Sequence, residues 1–542
     1  MIATSGGGWW PVCGSVTGVT ADAVVIGAGP NGLVAANHLA DRGWDVVVCE
    51  EQPEPGGAVR SGEVTEPGFV HDLYSAFYPL TLASRHIAPL ELERYGVNWL
   101  SARGVVAHPH PDGRCALLSI DLEETCASLD AFAPGDGEAW RRLFDLWRQA
   151  GPHLVGALLT PLPPIRPGLG MLGALGPRGL ADFARFSLLP ARRLAEESFE
   201  GEGGGWLIAG NALHADLTPE SSGGGMFGWV LCSLGQQHGY PVPEGGAGEI
   251  TRALVRRLRD RGGEVICGVP IERIEVRGRR AHAAVAADGR RFEARRAILA
   301  DCGAPALFLK MLPQELVPER VREDLRNYQY DNSTFKLNWA LREPIPWSAE
   351  EARRASTVHV AEGMKGLTHA TTQLAAAEIP ERPFLVLGQY SMVDASRSPE
   401  GTETAWAYTH VPQHPRTDAA GELSGDWTRE EEGERFADRM EEEVERLAPG
   451  FRRLIVKRHI QTPLYLERHN RNLVGGAING GTAQLHQQAI FRPFPGLGRP
   501  TTPIRGLYLA SSSAHPGGGL HGGPGGNAAR TALRYDRLRL RR

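Results

Sequence analysis

The stretch DAVVIGAGPNGLVAANHLADRGWDVVVCEEQPEPGGAVRS, Asp22 to Ser61, carries the reading on which the fold rests. Ala23 to Ile26 form a short apolar, β-branched run. Gly27-x-Gly29-x-x-Gly32 comes at once, and Leu33 to Ala40 continue at helical spacing. Strand, glycine turn and helix in this order predict the opening of a βαβ unit. Each glycine has a job: the first permits the tight turn, the second lets backbone approach a pyrophosphate, and the third lets the helix pack on the strand. Ala28 and Asn31 belong to the same turn, whose free N–H groups at the start of a helix attract phosphate. The run DVVVCE supplies a second strand ending in Glu50, 23 residues after Gly27, where a carboxylate can accept hydrogen bonds from ribose hydroxyls. Glu50 is preferred over Glu51 because it directly ends the apolar run, which leaves Glu51 facing solvent.

Working outward, the far end of the chain repeats the order. HPGGGLHGGPGGNAAR, His515 to Arg530, stands behind the apolar run GLYLAS and precedes a helical pattern. A flexible tail is the simplest account of so many glycines. The flanking strand and helix argue instead for backbone that must take positive φ or lie close to a ligand. A helix starting near Gly523 or Pro524 is expected, with proline in its tolerated first turn.

The bulk numbers bound the rest. A chain of 542 residues ordinarily folds as two or more domains. With 42% hydrophobic and 22% charged residues and a net charge of -5, it has the make-up of a globular protein with no call for nucleic acid as partner. Seven scattered cysteines, never spaced C-x-x-C, indicate neither a disulfide framework nor a redox dithiol, so a reducing, cytoplasmic setting is expected. Residues 1–18 lack the pattern of a secretory signal and are expected to be a disordered extension. No stretch reaches the roughly 18 to 20 apolar residues that span a bilayer.

The residues beyond Glu50 narrow the reading. In EEQPEPGGAVRSGEV, Gly56 and Gly57 stand six and seven residues after the acid with Arg60 close behind, and GFVHDLYSAFYPL occupies Gly68 to Leu80. On these motifs the sequence resembles the flavin amine oxidase and carotenoid desaturase superfamily, and within it the phytoene dehydrogenase-like branch. The resemblance implies FAD as cofactor, with the double glycine on the pyrophosphate and the HDLYSA segment, Ser75 included, running past the isoalloxazine ring. Ala58 stands where many relatives carry arginine, which leaves any arginine contact to Arg60 or to a distant residue. The segment TTPIRGLYLASSSAHPGGGLHGGPGGNAA resembles the family's returning strand, turn and helix. There Gly518 and Gly519 lie near the flat ring, and Gly523 opens a helix whose N–H groups face the flavin's pyrimidine edge. Relatives often place an acid on the ribityl chain after this strand; here Ser511 to Ser513 stand in that place, and Ser512 is assigned the contact. A third piece, Pro241 to Cys302, reads as a helix (Glu249 to Arg261), strands near Glu264 to Cys267 and Ile271 to Val276, a hairpin and a closing strand AILA. In the family, backbone near Ile271 meets the adenine.

The fold class expected is therefore α/β: a discontinuous Rossmann-like FAD-binding domain (19–80, 240–310 and 455–542) with a second, α+β substrate domain (81–239 and 311–454). The first interval of the latter reads as short helical pieces broken at TPLPPIRPGLG. The second holds strands at STFKLNWAL and TAWAYTHVP and a charged helix, TREEEGERFADRMEEEVERLAP, read as a solvated surface element. Gly168 to Leu194 mixes apolar residues with arginines. It is read either as a peripheral membrane contact or as tunnel wall or core.

For the chemistry, the flavin carries the redox step while protein positions a C–H bond and supplies an acid or base. His515 and His521 in the glycine turn and Lys336 are the catalytic candidates, with Tyr408, His410 and Arg492 held more loosely. His108, His110 and Cys115 match no zinc spacing and are read as an exposed hairpin, so no metal is assigned. The expected activity is oxidation or desaturation of a small apolar, carotenoid- or isoprenoid-like substrate by hydride transfer to flavin N5, with oxygen or a quinone as external electron acceptor. The rival readings are an amine oxidase, a polyene saturase or isomerase, and a non-catalytic FAD-bound regulator.

Overall fold

Residues 18–496 and 498–540 are described by the computed structural model; the N-terminal extension read as disordered lies outside them except for Gly18. Val19–Ile26, apolar on both faces, stands inside a seven-stranded sheet, with Val46–Cys49 and Arg291–Ala300 running parallel on either side. Such a strand needs cover on both faces. Ala23 and Val25 pack with Leu33, Leu254 and Ala528, which come from the helices Pro30–Ala40, Gly248–Arg259 and Gly523–Leu540. Val24 and Ile26 pack on the opposite face with Leu307, Phe308 and Val321. Glu264–Ile266 extends one edge, and the antiparallel pair Ile271–Arg277 and Arg280–Ala286 extends the other. Leu507–Leu509 pairs in parallel with Ile298–Ala300, so the two remote ends of the chain share one sheet.

The second sheet runs in the order Ile455–Gln461, Ser333–Leu341, Glu403–Val411, Leu385–Gln389, Ala355–Val360, Gly104–Pro109, Cys115–Ser119. This corrects the boundary at 455. Residues 455–461 ladder onto Ser333–Leu341, with Lys336 opposite Gln461, so the chain leaves this sheet only after Gln461.

Three further expectations change. The first interval does hold short helices, such as Leu122–Asp130, Ala191–Ser198 and Gly203–Leu213, but also two long ones, Asp136–Leu158 and Ile165–Phe186; the break expected at 160–170 is confined to its first residues, since the second long helix starts at Ile165 and bends at Gly176. Met171 and Phe183 pack on the core, while Ile165 and Leu169 are more than 60% exposed, so only one face of that helix is covered. The charged helix Glu430–Leu447 is not merely a solvated surface element, since Phe436, Ala437, Met440 and Val444 recur on one face and are fully buried against the second sheet. The hairpin bearing His108 and Cys115 is exposed only at its turn, residues 111–114: His108 and Cys115 on its strands are buried, and the Trp206 ring lies 5.4 Å from His108 and 5.1 Å from His110. Among the described residues, no helix is long and apolar enough to cross a membrane.

Candidate functional site

The site forms where two helix N-termini converge. Pro30–Ala40 opens directly from the first glycine turn, and Gly523–Leu540 crosses it so closely that a Cβ on Gly525 would lie 1.9 Å from the Asn31 carbonyl oxygen. Positive ends of two helices thus meet at one place, which favours an anion there. The turn itself is closed by backbone contact: a Cβ on Gly32 would fall 2.1 Å from the Gly27 carbonyl oxygen. The double-glycine turn folds over it, with the Gly56 N–H donating to the Ala28 carbonyl at 2.9 Å. Gly57, at φ 54°, packs so that a Cβ would lie 3.0 Å from Gly29 Cα.

Glu50 is 7% exposed and accepts the Ala28 N–H at 2.6 Å and the Gln52 N–H at 2.9 Å. Burial raises its pKa, against those two bonds. Glu51 turns away to Arg471 at 3.1 Å. Val269 N–H donates to the Glu50 carbonyl at 2.7 Å, which brings the chain leading to Ile271 alongside the acid. Arg60 reaches the Gly57 carbonyl at 3.1 Å and the Tyr74 hydroxyl at 2.8 Å, and Ser75 Oγ donates to the Ala58 carbonyl at 2.7 Å. Arg60, Ala58 and Ser75 therefore lock the HDLYSA segment to the double-glycine turn.

The C-terminal turn completes the cradle. Arg492, 1% exposed, donates to the carbonyls of Asn479, Gly481, Thr482 and Ser512, which ties the 479–482 loop to the residues after the returning strand. Gly518 lies against Asn479, and Gly519 against Leu80. The candidate histidines divide. His521 accepts the Gly523 N–H at Nδ1 and donates from Nε2 to the Gly518 carbonyl, both at 3.0 Å, so both nitrogens are spent inside its own turn. His515 donates from Nε2 to the Thr160 carbonyl at 3.0 Å and keeps a buried Nδ1 with no partner. Burial lowers its pKa to about 4, so at neutral pH Nδ1 carries a free lone pair.

Lys336 is 2% exposed, donates to the carbonyls of Asp72 and Tyr74, and sits 5.4 Å from the centre of the Trp406 ring. Burial lowers it to about 7, partly offset by Asp72. His410 is buried, with Nε2 donating to the Leu213 carbonyl.

Sequence reasoning missed two acids. Asp301 ends the strand Arg291–Ala300, as Glu50 ends its own, and accepts the Gly32 N–H at 2.8 Å beneath the glycine turn. Burial pushes its carboxyl up to about 7, assisted by the Glu50 charge and opposed by that bond. Asp72 is wholly buried, accepts from Ser61, the Ala247 N–H and Tyr390, and forms an ion pair with Arg397 at 2.8 Å. An acid ending an apolar run is a signal for Asp301; nothing in the sequence signals the Asp72–Arg397 pairing, whose partners are 325 positions apart.

These residues fit FAD. The glycine turn would take a pyrophosphate, Glu50 ends the second strand where a ribose would be held, Asn31 Oδ1 is buried without a partner beside the turn, and two helix N-termini face the same space. Comparison with known proteins agrees. The FAD dependent oxidoreductase family matches residues 22–179, and the flavin containing amine oxidoreductase family matches residues 114–523. The chain is 29% identical to the pyridine nucleotide-disulfide oxidoreductase domain-containing protein 2 of Rattus norvegicus, over 95% of this chain and 93% of that protein. It is 24% identical to the lycopene-forming phytoene desaturase of Pantoea ananas, over 95% and 99%. Its fold resembles that of cyclohexylamine oxidase from Brevibacterium oxydans, with a TM-score of 0.58 at 16% identity, covering 96% of this chain and 100% of that one. With its glycine cradle, its acid-ended strands and a family match across most of its length, the chain belongs to the flavin containing amine oxidoreductase family and is an FAD-dependent oxidoreductase of the amine oxidase and carotenoid desaturase superfamily.

Proposed function

We propose that the chain oxidises or desaturates a largely apolar, unsaturated small molecule of carotenoid or isoprenoid type. The observation that supports this is the aromatic wall beside the HDLYSAF segment, in which Tyr240, Tyr390 and Trp406 are buried core rings and Phe77 and Tyr408 are partly accessible. Phe77 lies 5.9 Å from Tyr390, 5.8 Å from Trp406 and 6.3 Å from Tyr240, ring centre to ring centre, and Tyr408 stacks on Trp406 at 6.1 Å. Tyr408 alone in the strand Glu403–Val411 keeps accessible surface, and Ala76, Phe77, Leu80, Met226 and Phe227 are likewise only half-buried against the same core. Aromatic faces suit a conjugated or apolar chain. Aromatic faces also attract an ammonium group, so an amine oxidase stands as the second reading, and the substrate panels below separate the two.

Bound FAD supplies a hydride acceptor at N5, with oxygen or a quinone removing the electrons afterwards. In this reading the aromatic wall orients the reacting carbons and excludes water. His515 Nδ1 would take the proton lost from the carbon next to the hydride donor, and Lys336, lowered by burial to about 7, would be able to give or take a proton at neutral pH.

The test is anaerobic absorbance of the purified yellow protein with separate panels of polyenes, terpenoids and amines. Bleaching by polyenes or terpenoids is expected. Bleaching by amines alone would overturn the reading in favour of an amine oxidase. Conversion of polyenes only by pre-reduced protein would favour a saturase or isomerase, and a flavin that no panel touches would favour a regulator.

A further inference from the structure

A second site stands at the opposite end of the first helix from the glycine turn. Arg530, Arg534 and Arg537 are spaced four and three residues apart on the helix Gly523–Leu540 and so share a face. With Arg42, just beyond the end of Pro30–Ala40, and with Leu533 and Leu538, they line a surface cleft of about 380 Å³. The two carboxylates nearest in sequence are engaged elsewhere. Asp41 pairs with Arg257 at 3.0 Å and Arg261 at 2.5 Å, and Asp536 pairs with Arg296 at 3.1 Å. Among the described residues, no carboxylate lies within ion-pair distance of Arg42, Arg530, Arg534 or Arg537, whereas arginines elsewhere on the surface, such as Arg103, Arg141, Arg185, Arg291 and Arg458, are paired. Arg85 lies close enough to act on the Arg530 charge, and its buried Nε has no acceptor. Burial, with Arg85 and Arg42 alongside, lowers the Arg530 pKa.

Like charges held together without a counter-ion repel, and arginine forks match phosphate oxygens in pairs. We propose that this cleft is a binding site for a phosphate-bearing anion, separate from the FAD site and independent of which substrate the flavin oxidises. The leucines beside the arginines leave room for an apolar group attached to the phosphate, so a soluble phosphate ester and a phospholipid headgroup share the required chemistry.

The experiment uses the FAD-loaded protein, so that the cofactor site is filled. Inorganic pyrophosphate is titrated calorimetrically at 50 and 150 mM salt, and vesicles of phosphatidylcholine with or without phosphatidylglycerol are tested by co-sedimentation. Both probes are repeated on Arg530→Gln/Arg534→Gln with FAD content measured as a fold control. Loss of about tenfold in affinity per arginine is expected, with weaker binding at the higher salt. Pyrophosphate binding without vesicle binding supports the site and assigns a soluble ester. Variant-sensitive retention on phosphatidylglycerol vesicles supports it and assigns a lipid headgroup. If neither probe binds the native protein more tightly than the double variant, the proposal fails.

Discussion

Asp301→Asn isolates the acid under the glycine turn. The amide keeps an oxygen for the Gly32 N–H but cannot ionise, so the variant differs from the native chain only where the carboxyl titrates. Its pKa is about 7 in the fold, raised mainly by burial, against 3.8 as the reference. The native state therefore binds the proton more tightly than the unfolded chain does. Stability from this group is full below pH about 4 and is lost as pH rises towards 7, at about 1.4 kcal/mol per pH unit. Between pH 5 and 8 the loss is about 3 kcal/mol, nearly all of it before pH 7. With an unfolding entropy of about 2.1 cal/mol/K per residue, a chain of this size loses roughly 2 to 3 °C in Tm for that amount. The assay is thermal unfolding of FAD-free protein by circular dichroism at half-unit pH steps. The Tm of Asp301→Asn minus that of the native chain should climb by roughly 2 to 3 °C between pH 5 and 7 and then level off. Titrating groups remote from Asp301 cancel in the difference, and Glu50, whose charge acts on Asp301, is a group whose own titration the substitution also alters. A difference that is flat with pH would refute a buried, protonatable carboxyl at this place.

Three other perturbations test the rest of the site. Glu50→Ala removes the acceptor of two backbone N–H groups as well as the ribose contact proposed for it, so FAD retention after dialysis should fall roughly 10- to 100-fold, from about 1.5 to 3 kcal/mol; unchanged occupancy would remove that role. His515→Ala should slow single-turnover flavin reduction about 100-fold or more while FAD stays bound, as expected for loss of a proton acceptor, and unaltered rates would dismiss it. Gly525→Ala places a methyl 1.9 Å from the Asn31 carbonyl oxygen, so the crossing of the two helices must open, at about 1 to 3 kcal/mol or more; a chain with native Tm and full FAD content would contradict that close crossing.

Local rules reach as far as contiguous segments allow. Gly27, Gly29 and Gly32 with Glu50 were legible because strand, turn, helix and acid succeed one another within a single βαβ unit, where spacing alone fixes geometry. The helix at Gly523 was legible for the same reason, and its partnership with the first helix rested on resemblance until Leu507–Leu509 was seen on the shared sheet. Polar side chains at long range were not legible. His515 and His521 stand in one glycine turn and look alike in the sequence, yet one spends both nitrogens on Gly518 and Gly523 while the other is freed by a carbonyl 355 positions away. Likewise Asp301 reads as an ordinary strand end; its proton affinity comes from burial under the Gly27–Gly32 turn and from Glu50, neither of which is its neighbour in the chain. Backbone pattern is written in periodicity and spacing, so the sequence determined the cradle. Desolvation and hydrogen-bond competition depend on which distant surfaces close around a group, and only the tertiary structure decided those.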